Sequence, residues 1–406
     1  MPNMTYRLFE RIGIELEYMI VDRDTYRVAP LTDKVLEEVK GSITNEVNMG
    51  SISWSNELAL HVIELKTTEP ARCLENLDTQ FHENIRHINT ILKKYNACLM
   101  GGAMHPFMDP VKEIRLWPHD YSPIYSAFDR IFSCKGHGWA NLQSMHINLP
   151  FANDDEFGRL HAAIRLVLPI LPALSAGSPI AEGKLSGFHD FRMETYRHNS
   201  EKIRSITGDL IPEAVFSIED YEKKILQRIY SDLSPYDPEK ILQEEWVNAR
   251  GAIARFERNT IEIRVIDVQE TPFADCAIAG IVIEVIKNLV NGQWSSYEYQ
   301  KSVPGTILVD SFLESIRHGQ DARITDSQYL KVFNLGLESC TMRELWKQLS
   351  AKIGIRNRFL NTVVENGTLS SRMIQSVGPD YQQNNLVTLC KSMCRCIDNG
   401  EQLQGS

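Results

Sequence analysis

The sequence lacks several features that would place it in a special class of protein. It has eight cysteines but no Cys-x-x-Cys pair, so the usual zinc-ribbon and thioredoxin-type motifs are absent. Lysine and arginine number 43 against 53 aspartates and glutamates, and a net charge of −10 disfavours non-specific binding to nucleic acid or an anionic membrane. A hydrophobic fraction of 43% and a charged fraction of 24%, without repeats, are typical of a folded globular protein. Disordered, collagen-like and coiled-coil classes are therefore excluded.

The sequence also shows no membrane or export segment. The apolar run at residues 166–181 is too short to span a bilayer and is interrupted by prolines. Charged residues appear as early as Arg7 and Glu10, so we expect no signal peptide. Scattered cysteines in a large chain of this kind predict reduced thiols and a cytoplasmic location. Cys390, Cys394 and Cys396 leave two interpretations open: a metal or redox site, or a row of thiols on one helix.

The order of elements predicts one α+β domain over residues 1–406, with helical insertions and a helical C-terminal tail. No linker rich in proline, glycine or serine divides the chain. Strands are predicted within residues 7–21, 54–66, 97–104, 144–149 and 260–267. Helices are predicted at residues 73–95, 156–171, 221–230, 238–247 and 273–290.

Three of these strands alternate between apolar residues and polar residues, and the polar residues include several that commonly bind metal. Successive side chains of a strand point to opposite faces of the sheet. Glu15 and Glu17 therefore share a face opposite an apolar one, and the same alternation sets apart Ser144, His146 and Asn148, and then Thr260, Glu262 and Arg264. If the strands form one antiparallel sheet, their polar faces gather carboxylates and one imidazole.

Such a group has a specific chemical consequence. Carboxylates that lie close together repel one another unless a cation neutralises them. An oxygen-rich set with one imidazole suits Mg²⁺ or Mn²⁺, and Mg²⁺ commonly accompanies nucleotide phosphates. Arg264 could then meet a phosphate. Each pattern alone is also typical of a solvated strand face or a cross-strand ion pair.

Glu57 and Glu64 are seven residues apart, an odd spacing that cannot place both on one face of a regular strand. Either Glu57 precedes the strand or a bulge intervenes.

Together these residues resemble the glutamate–cysteine ligase family, specifically its second bacterial type, the YbdK-like carboxylate–amine ligases. The resemblance follows the family's order over about nine tenths of the chain. It is carried by Gly13-Ile14-Glu15-Leu16-Glu17, Glu57 with Glu64, residues 101–106, 137–148, 187–199 and 260–267, and 366–372.

The resemblance implies an α+β, glutamine synthetase-like fold: a curved antiparallel sheet with helices behind it and an open active-site cavity in front. It implies three divalent-metal sites. Glu17, Glu57 and Glu64 would form one, Glu15, His146 and Glu262 a second, and Glu15 with Glu262 would share a third. The family often has Asp where this chain has Glu57.

The resemblance also implies an ATP-dependent ligase that uses Mg²⁺ or Mn²⁺ and contributes to glutathione synthesis. The γ-carboxylate of L-glutamate would become an acyl phosphate, which the amine of L-cysteine then attacks. Arg264 and Glu262 are expected to be catalytic, and Arg250, Arg255 and Arg258 to bind ATP. Arg192, Tyr196 and Arg197 are expected to bind the α-carboxylate of the substrate. The Gly-x-x-x-x-Gly-Lys-Ser/Thr phosphate loop is absent. The expected partners are small molecules and a second copy in a homodimer, with no nucleic acid or membrane.

Three alternatives remain open from the sequence. The same chemistry could act on another amine or acid, because selectivity rests on a few side chains of the pocket. A metal-dependent hydrolase would need an open, zinc-like site with about three ligands. A non-catalytic relative would be expected to lose metal ligands, whereas all six positions hold ligand-type residues.

Overall fold

A large antiparallel sheet forms the centre of the molecule in the computed structural model, which describes residues 5–405. Its eight strands are β1 (Gly13–Asp22), β2 (Glu46–Asn48), β3 (Ile52–Asn56), β4 (Val62–Thr67), β5 (Ala97–Met100), β6 (Ser144–Pro150), β9 (Ala252–Arg255) and β10 (Thr260–Asp267). Two small hairpins complete the strands of the described region: β7 (Ile180–Ala181) with β8 (Lys184–Leu185), and β11 (Arg323–Ile324) with β12 (Cys340–Thr341).

The strand order brings distant parts of the chain together. The sheet runs β2-β3-β4-β1-β6-β10-β9, and β5 pairs with the end of β1. All of these pairs are antiparallel, and the sheet does not close into a barrel. The α+β class predicted from the sequence is therefore confirmed, with β1, β6 and β10 side by side.

Eighteen α-helical segments surround the sheet in residues 5–405. The first nine are α1 (Thr32–Lys40), α2 (Leu77–Leu92), α3 (Pro110–Glu113), α4 (Ser122–Phe132), α5 (His137–Ala140), α6 (Asp154–Val167), α7 (Pro172–Ser175), α8 (Phe191–Tyr196) and α9 (Ile218–Tyr221). The others are α10 (Gln227–Leu233), α11 (Pro272–Val290), α12 (Tyr297–Ser302), α13 (Gly305–His318), α14 (Ser327–Lys331), α15 (Met342–Ile353), α16 (Arg358–Asn361), α17 (Leu369–Val377) and α18 (Gln383–Asn399).

The two faces of the sheet differ as the alternation predicts. Ile14, Leu16, Tyr18 and Ile20 of β1 are fully buried in the main core, which also contains the apolar residues of α2, α6 and α11. The Tyr18 hydroxyl donates a hydrogen bond of 3.0 Å to Asp275 of α11. The helical layer therefore covers the even-numbered side of β1 and leaves Glu15 and Glu17 on the other side.

The C-terminal helices cover the rest of that second face. Met19 and Val21 of β1 belong to a separate apolar cluster with residues of β5, α17 and α18. The odd-numbered side of β1 is thus polar in its first half and apolar in its second half. The predicted helical tail is confirmed, and it packs beside the polar region.

Two sequence-based expectations need correction. The helix predicted at residues 238–247 is wrong, because only Glu245–Val247 is helical there, as a single 3₁₀ turn. Asp237 explains the alternative: its carboxylate accepts hydrogen bonds from the N–H groups of Ile241 and Leu242 and stabilises a turn. The segment 54–66 contains two strands of a hairpin, and Glu57 lies between them.

None of the helices in the described part of the chain combines the length and hydrophobicity that a bilayer crossing requires.

Candidate active site

Neighbouring strands place three potential metal ligands together. Glu15 of β1 lies directly opposite His146 of β6, and Glu262 of β10 lies opposite Asn148 on the other side of β6. His146 Nδ1 is 3.1 Å from Glu15 Oε2 and 3.7 Å from Glu262 Oε1. One ligand atom from each of Glu15, His146 and Glu262 lies within 4.8 Å of the other two. These three side chains could hold one cation.

A second group of carboxylates lies beside the first. Glu17 faces Glu64 across the β1–β4 ladder, and Glu57 enters from the loop that precedes β4. Burial, with the negative charges of Glu17 and Glu64, raises the pKa of Glu57 well above its usual range. Glu57 therefore precedes the strand that contains Glu64, which explains the odd spacing of the two residues without a bulge.

The chemistry of these residues fits a hard divalent cation. Burial and nearby carboxylates raise the pKa of Glu64 to about 7, although Lys66 Nζ lies 3.2 Å from its Oε2. Burial opposes the charged form of His146, but Glu15, Glu17 and Glu262 outweigh it and raise its pKa. The raised pKa values of Glu57 and Glu64 indicate too little positive charge around these two groups, and oxygen ligands are those that Mg²⁺ and Mn²⁺ prefer.

Two neutral side chains orient the ligands. Glu17 Oε2 accepts hydrogen bonds from the Ser144 N–H at 2.7 Å and from its Oγ at 3.0 Å. Asn148 Nδ2 donates to Glu15 Oε1 at 3.0 Å. Sequence reasoning assigned no role to Ser144 and Asn148, although alternation placed both on the polar face.

Arginines border the carboxylates on the β10 side. Arg264 Nε is 2.9 Å from Glu262 Oε1, and Arg255 Nη1 donates to Glu262 Oε2 at 3.2 Å. Burial opposes ionisation of Glu15, but the hydrogen bond with His146 and the positive charges of His146, Lys66 and Arg258 hold its pKa well below its usual range. Two arginines therefore pair with Glu262, and the charge of Arg258 acts on Glu15.

A β-bulge in β10 brings Asp267 to the same side. The register of β10 with β6 shifts between Ile263 and Ile266, so Asp267 faces Ser144. An extra residue in one strand reverses the alternation beyond it. Asp267 binds the buried guanidinium of Arg192, whose Nη1 and Nη2 lie 3.4 and 3.3 Å from the Arg264 carbonyl oxygen. Arg192 therefore supports the backbone that carries Arg264.

A cavity of about 400 Å³ opens beside the cluster. Its polar wall includes Glu17, Glu57, His146, Arg192 and Arg264. Six aromatic residues, here called the aromatic wall, also line it: Tyr121, Tyr125, Phe128, Trp139, Tyr196 and Trp246. Sequence analysis did not identify this wall, except for Tyr196. Tyr121, Tyr125 and Phe128 recur at the three-to-four-residue spacing of a helix, and that signal could have indicated them.

Two predicted binding residues lie elsewhere. Arg250 is buried in a bidentate ion pair with Glu213, with both N–O distances 2.6 Å, and it lines another cavity. It precedes Ala252 by two residues, and Ala252 lies opposite the core residue Ile263. Arg197 Nε donates to Glu194 Oε2 at 2.7 Å and also lines a separate cavity. The structure does not bring Arg250 or Arg197 to the cluster of candidate metal ligands around Glu15 and Glu262.

The clustered cysteines lie on one helix. Cys390, Cys394 and Cys396 are free thiols of α18. Within residues 5–405, the group of histidine, cysteine and acidic side chains close enough to hold a metal is Glu15, His146 and Glu262. The three cysteines therefore lie on one helix, as the second interpretation predicted.

Comparisons with known proteins show which sequences this chain is similar to. The model of glutamate–cysteine ligase family 2 matches residues 11–295. An uncharacterized protein of Archaeoglobus fulgidus is 30% identical over 394 residues, which are 96% of this chain and 99% of that protein. A Herminiimonas arsenicoxydans protein named "Putative glutamate--cysteine ligase 2" is 27% identical over 186 residues, 45% of this chain and 46% of that one.

Solved structures confirm the expected fold at low sequence identity. A Francisella tularensis glutamate–cysteine ligase in complex with AMP has a TM-score of 0.55 and 12% identity, over 97% of this chain and 90% of that one. A bifunctional glutathione synthetase from Pasteurella multocida has a TM-score of 0.58 and 14% identity, over 95% of this chain. The present chain spans 53% of that bifunctional protein.

The matching family model defines an enzyme of the ligase class that forms carbon–nitrogen bonds, a carboxylate–amine ligase acting on small molecules, and the fold agrees with that class. The chain belongs to glutamate–cysteine ligase family 2. The family resemblance noted in the sequence is confirmed.

Proposed function

We propose that the enzyme uses ATP to join the γ-carboxylate of L-glutamate to the amine of L-cysteine. The observation that carries this proposal is the convergence of Glu15, His146 and Glu262 with Arg264 at the edge of a cavity. Relatives named as glutamate–cysteine ligases, and a structural neighbour that binds AMP, support the choice of substrates and nucleotide.

The residues of the cluster provide for an anionic reaction. A carboxylate and a triphosphate repel each other and must be neutralised before they meet. Glu15, His146 and Glu262, with Glu17, Glu57 and Glu64 beside them, would hold Mg²⁺ or Mn²⁺. When bound, the cations supply positive charge to the phosphates of ATP. Arg264 contacts the phosphoryl group in this proposal, and Arg255 and Arg258 contact the remaining phosphates.

The protein then needs no side-chain nucleophile, because the activated group is carried by the substrate. In the first step, a γ-carboxylate oxygen bonds to the terminal phosphorus of ATP, and ADP leaves. In the second step, the neutral amine nitrogen attacks the acyl carbon, phosphate leaves, and the nitrogen loses a proton to phosphate or water, which forms the amide. Tyr196 and Arg192 line the cavity and are proposed to hold the α-carboxylate of glutamate. Arg250 and Arg197 have no direct role in this proposal.

The aromatic wall favours a second candidate with the same chemistry. Tyr121, Tyr125, Phe128 and Trp246 present more apolar surface than the side chain of cysteine needs. An amine with a larger apolar group would fill this wall better. A zinc-type hydrolase is disfavoured because the cluster contains five carboxylates and one imidazole, whereas catalytic zinc commonly takes about three protein ligands.

The proposal is tested by a screen for ADP release with ATP, Mg²⁺, L-glutamate and a panel of amines, with the product identified by mass. We expect ADP release to require glutamate and an amine and to be fastest with cysteine. Glu15→Gln and Glu262→Gln should each lower kcat/KM by at least about a hundredfold, since even residues that only orient metal ligands contribute about 10- to 100-fold. Circular dichroism should show an unchanged fold.

Glu222→Gln is the matched control, because Glu222 is exposed, is not one of the six predicted metal ligands and undergoes the same change of charge. Wild-type rates in Glu15→Gln or Glu262→Gln would reject the assignment of the site. Faster turnover with a bulky amine would select the second candidate, and hydrolysis without ADP release would reject ligase chemistry.

A further inference from the structure

A second cavity contains an arginine without a counter-ion. This rear cavity, of about 750 Å³, is lined by Arg165, Arg204, Ser205, Glu213, Arg228 and Gly305, among others. Arg165 is only 1% exposed, and its Nε donates to the Pro212 carbonyl oxygen at 2.7 Å. Its Nη1 has no hydrogen-bond partner in the described chain, and no ion pair within 4.0 Å reaches its guanidinium there. The guanidinium also lies over the Phe216 ring, 5.7 Å from its centroid, but a buried cation without a charged partner remains costly.

The absence of a close anion affects the chemistry of Arg165. Burial lowers the pKa of Arg165 to about 10, and the more distant charge of Glu213 offsets this only in part. Glu213 is already engaged by Arg250 through two hydrogen bonds of 2.6 Å. No carboxylate of the described residues therefore forms an ion pair with Arg165, and its positive charge could bind an anionic ligand.

The N-terminus of α13 lies beside this guanidinium. A Cβ atom built on Gly305, the first residue of α13, would be 3.7 Å from Arg165 Nη2. The helix has 14 residues, no side-chain cap at its N-terminus and no acidic residue in its first turn. The free N–H groups and the positive end of the helix dipole favour an anion at this position.

The mouth and floor of the rear cavity add further donors. Arg204 and Arg228 are exposed at its rim and form no ion pair within the described residues. Ser205 Oγ is buried in the lining and also lacks a hydrogen-bond partner there. Asp209 and Asp310 line the cavity as well, so its charge is mixed at the rim, while the unpaired charge at the floor is positive.

We propose that the rear cavity binds a small molecule through a phosphate group, held by Arg165, the N-terminus of α13, Arg204 and Arg228. A tetrahedral dianion accepts several hydrogen bonds at once, which matches guanidinium forks together with a helix N-terminus. The rear cavity and the candidate active site share no lining residue. The inference is therefore independent of the proposed substrates.

The experiment measures the melting temperature of the full chain against inorganic phosphate, with EDTA present and ionic strength held constant with NaCl. A parallel series uses citrate, which carries carboxylates instead. We expect a saturable rise with phosphate and a weaker response to citrate. The double variant Arg204→Gln/Arg228→Gln should raise the apparent Kd for phosphate at least about tenfold, because each charged hydrogen bond contributes appreciably to affinity.

Arg72→Gln/Arg356→Gln is the matched control, because both arginines are exposed and neither lines the rear cavity. It should keep the wild-type Kd. Arg165→Met should abolish saturable binding of phosphate. If that variant does not fold, the double variant Arg204→Gln/Arg228→Gln, here called the rim variant, still tests whether the rear cavity binds phosphate. An equal response in wild type, rim variant and control, no saturation, or preference for citrate would each overturn the proposal. Retained ligase activity in the rim variant would show that the rear cavity, and not the active site, was altered.

Discussion

The pKa values of single side chains in this protein depend on their surroundings as well as on residue type. Glu15 and Glu64 are both acidic groups on the polar side of neighbouring strands, yet their pKa values move in opposite directions. Glu15 has the hydrogen bond with His146, whereas Glu64 is dominated by burial and repulsion. Residue type and spacing can predict that these groups meet, but not which of them will hold a proton.

The buried His161 gives a prediction about pH. Its ring stacks on Phe157 in α6, with centroids 5.5 Å apart. Burial and the charge of Arg165 lower its pKa to about 3, from 6.5 in the unfolded chain. The unfolded chain therefore binds more protons between these values, so stability falls as the pH is lowered through this window. From pH 6.5 to 5 this residue should remove about 2 kcal/mol of stability.

Urea unfolding at pH 6.5 and pH 5 measures this effect. His161→Leu should lose about 2 kcal/mol less than wild type over that interval. His318→Leu, at an exposed histidine of α13, is the control and should lose as much as wild type. Equal pH dependence in all three proteins would contradict the assigned pKa.

Whole elements show which parts of the site a sequence can predict. Alternation correctly placed Glu15, Glu17, His146, Glu262 and Arg264 on one side, because a strand surface has a strict period of two. It could not place Asp267, because a bulge depends on the partner strand and not on the local sequence. The charge of Arg250 suggested a phosphate contact, but its partner Glu213 is 37 residues away and was invisible to local pattern.

The pairing of β1 with β6 leads to a prediction about Gly13. A Cβ atom on Gly13 would lie 2.9 Å from Asn148 Cβ, which is closer than packed carbon atoms approach. Gly13→Ala should separate the strands close to the Glu15–His146 pair. We expect a loss of about 1–3 kcal/mol in unfolding free energy, as for other overpacked sites, together with weaker Mn²⁺ binding.

Denaturant unfolding and Mn²⁺ titration measure the two effects. Gly136→Ala is the matched control, since a Cβ there meets nothing within 4 Å and the residue has an ordinary φ of −102°. If Gly13→Ala behaved like Gly136→Ala in both measurements, the close contact between the strands would be refuted.

At the scale of the molecule, the C-terminal region is fastened to the sheet through buried charge. Arg372 of α17 forms an ion pair with Glu270, which follows β10, and both are essentially inaccessible to water. Arg372 also donates to the carbonyl oxygens of Gly367 at 3.1 Å and Leu403 at 2.7 Å. This network joins parts of the chain that are about a hundred residues apart. The single-domain organisation, the homodimer and the cytoplasmic location stay predictions.

Breaking this pair should be expensive. Glu270→Gln leaves the Arg372 charge buried without its partner, and we expect a loss of about 3–5 kcal/mol in unfolding free energy. Glu365→Gln breaks the exposed pair with Lys347 and should cost less than about 1 kcal/mol. Chemical unfolding of both variants checks the difference. A small, equal effect would mean that the buried network does not fasten the C-terminal helices.

The aromatic wall of the active-site cavity has a consequence for diversification within the family. The candidate metal ligands Glu15, His146 and Glu262 come from β1, β6 and β10, whose geometry is fixed by pairing across the sheet. The wall comes from Tyr121 and α4, from α5 and α8, and from the turn at Trp246, all of which lie outside that ladder. Substrate preference can therefore drift through exchanges at Tyr121, Phe128 or Trp246 while the strand residues stay unchanged. The enzyme could then accept a new substrate for the same reaction while the central sheet keeps its structure.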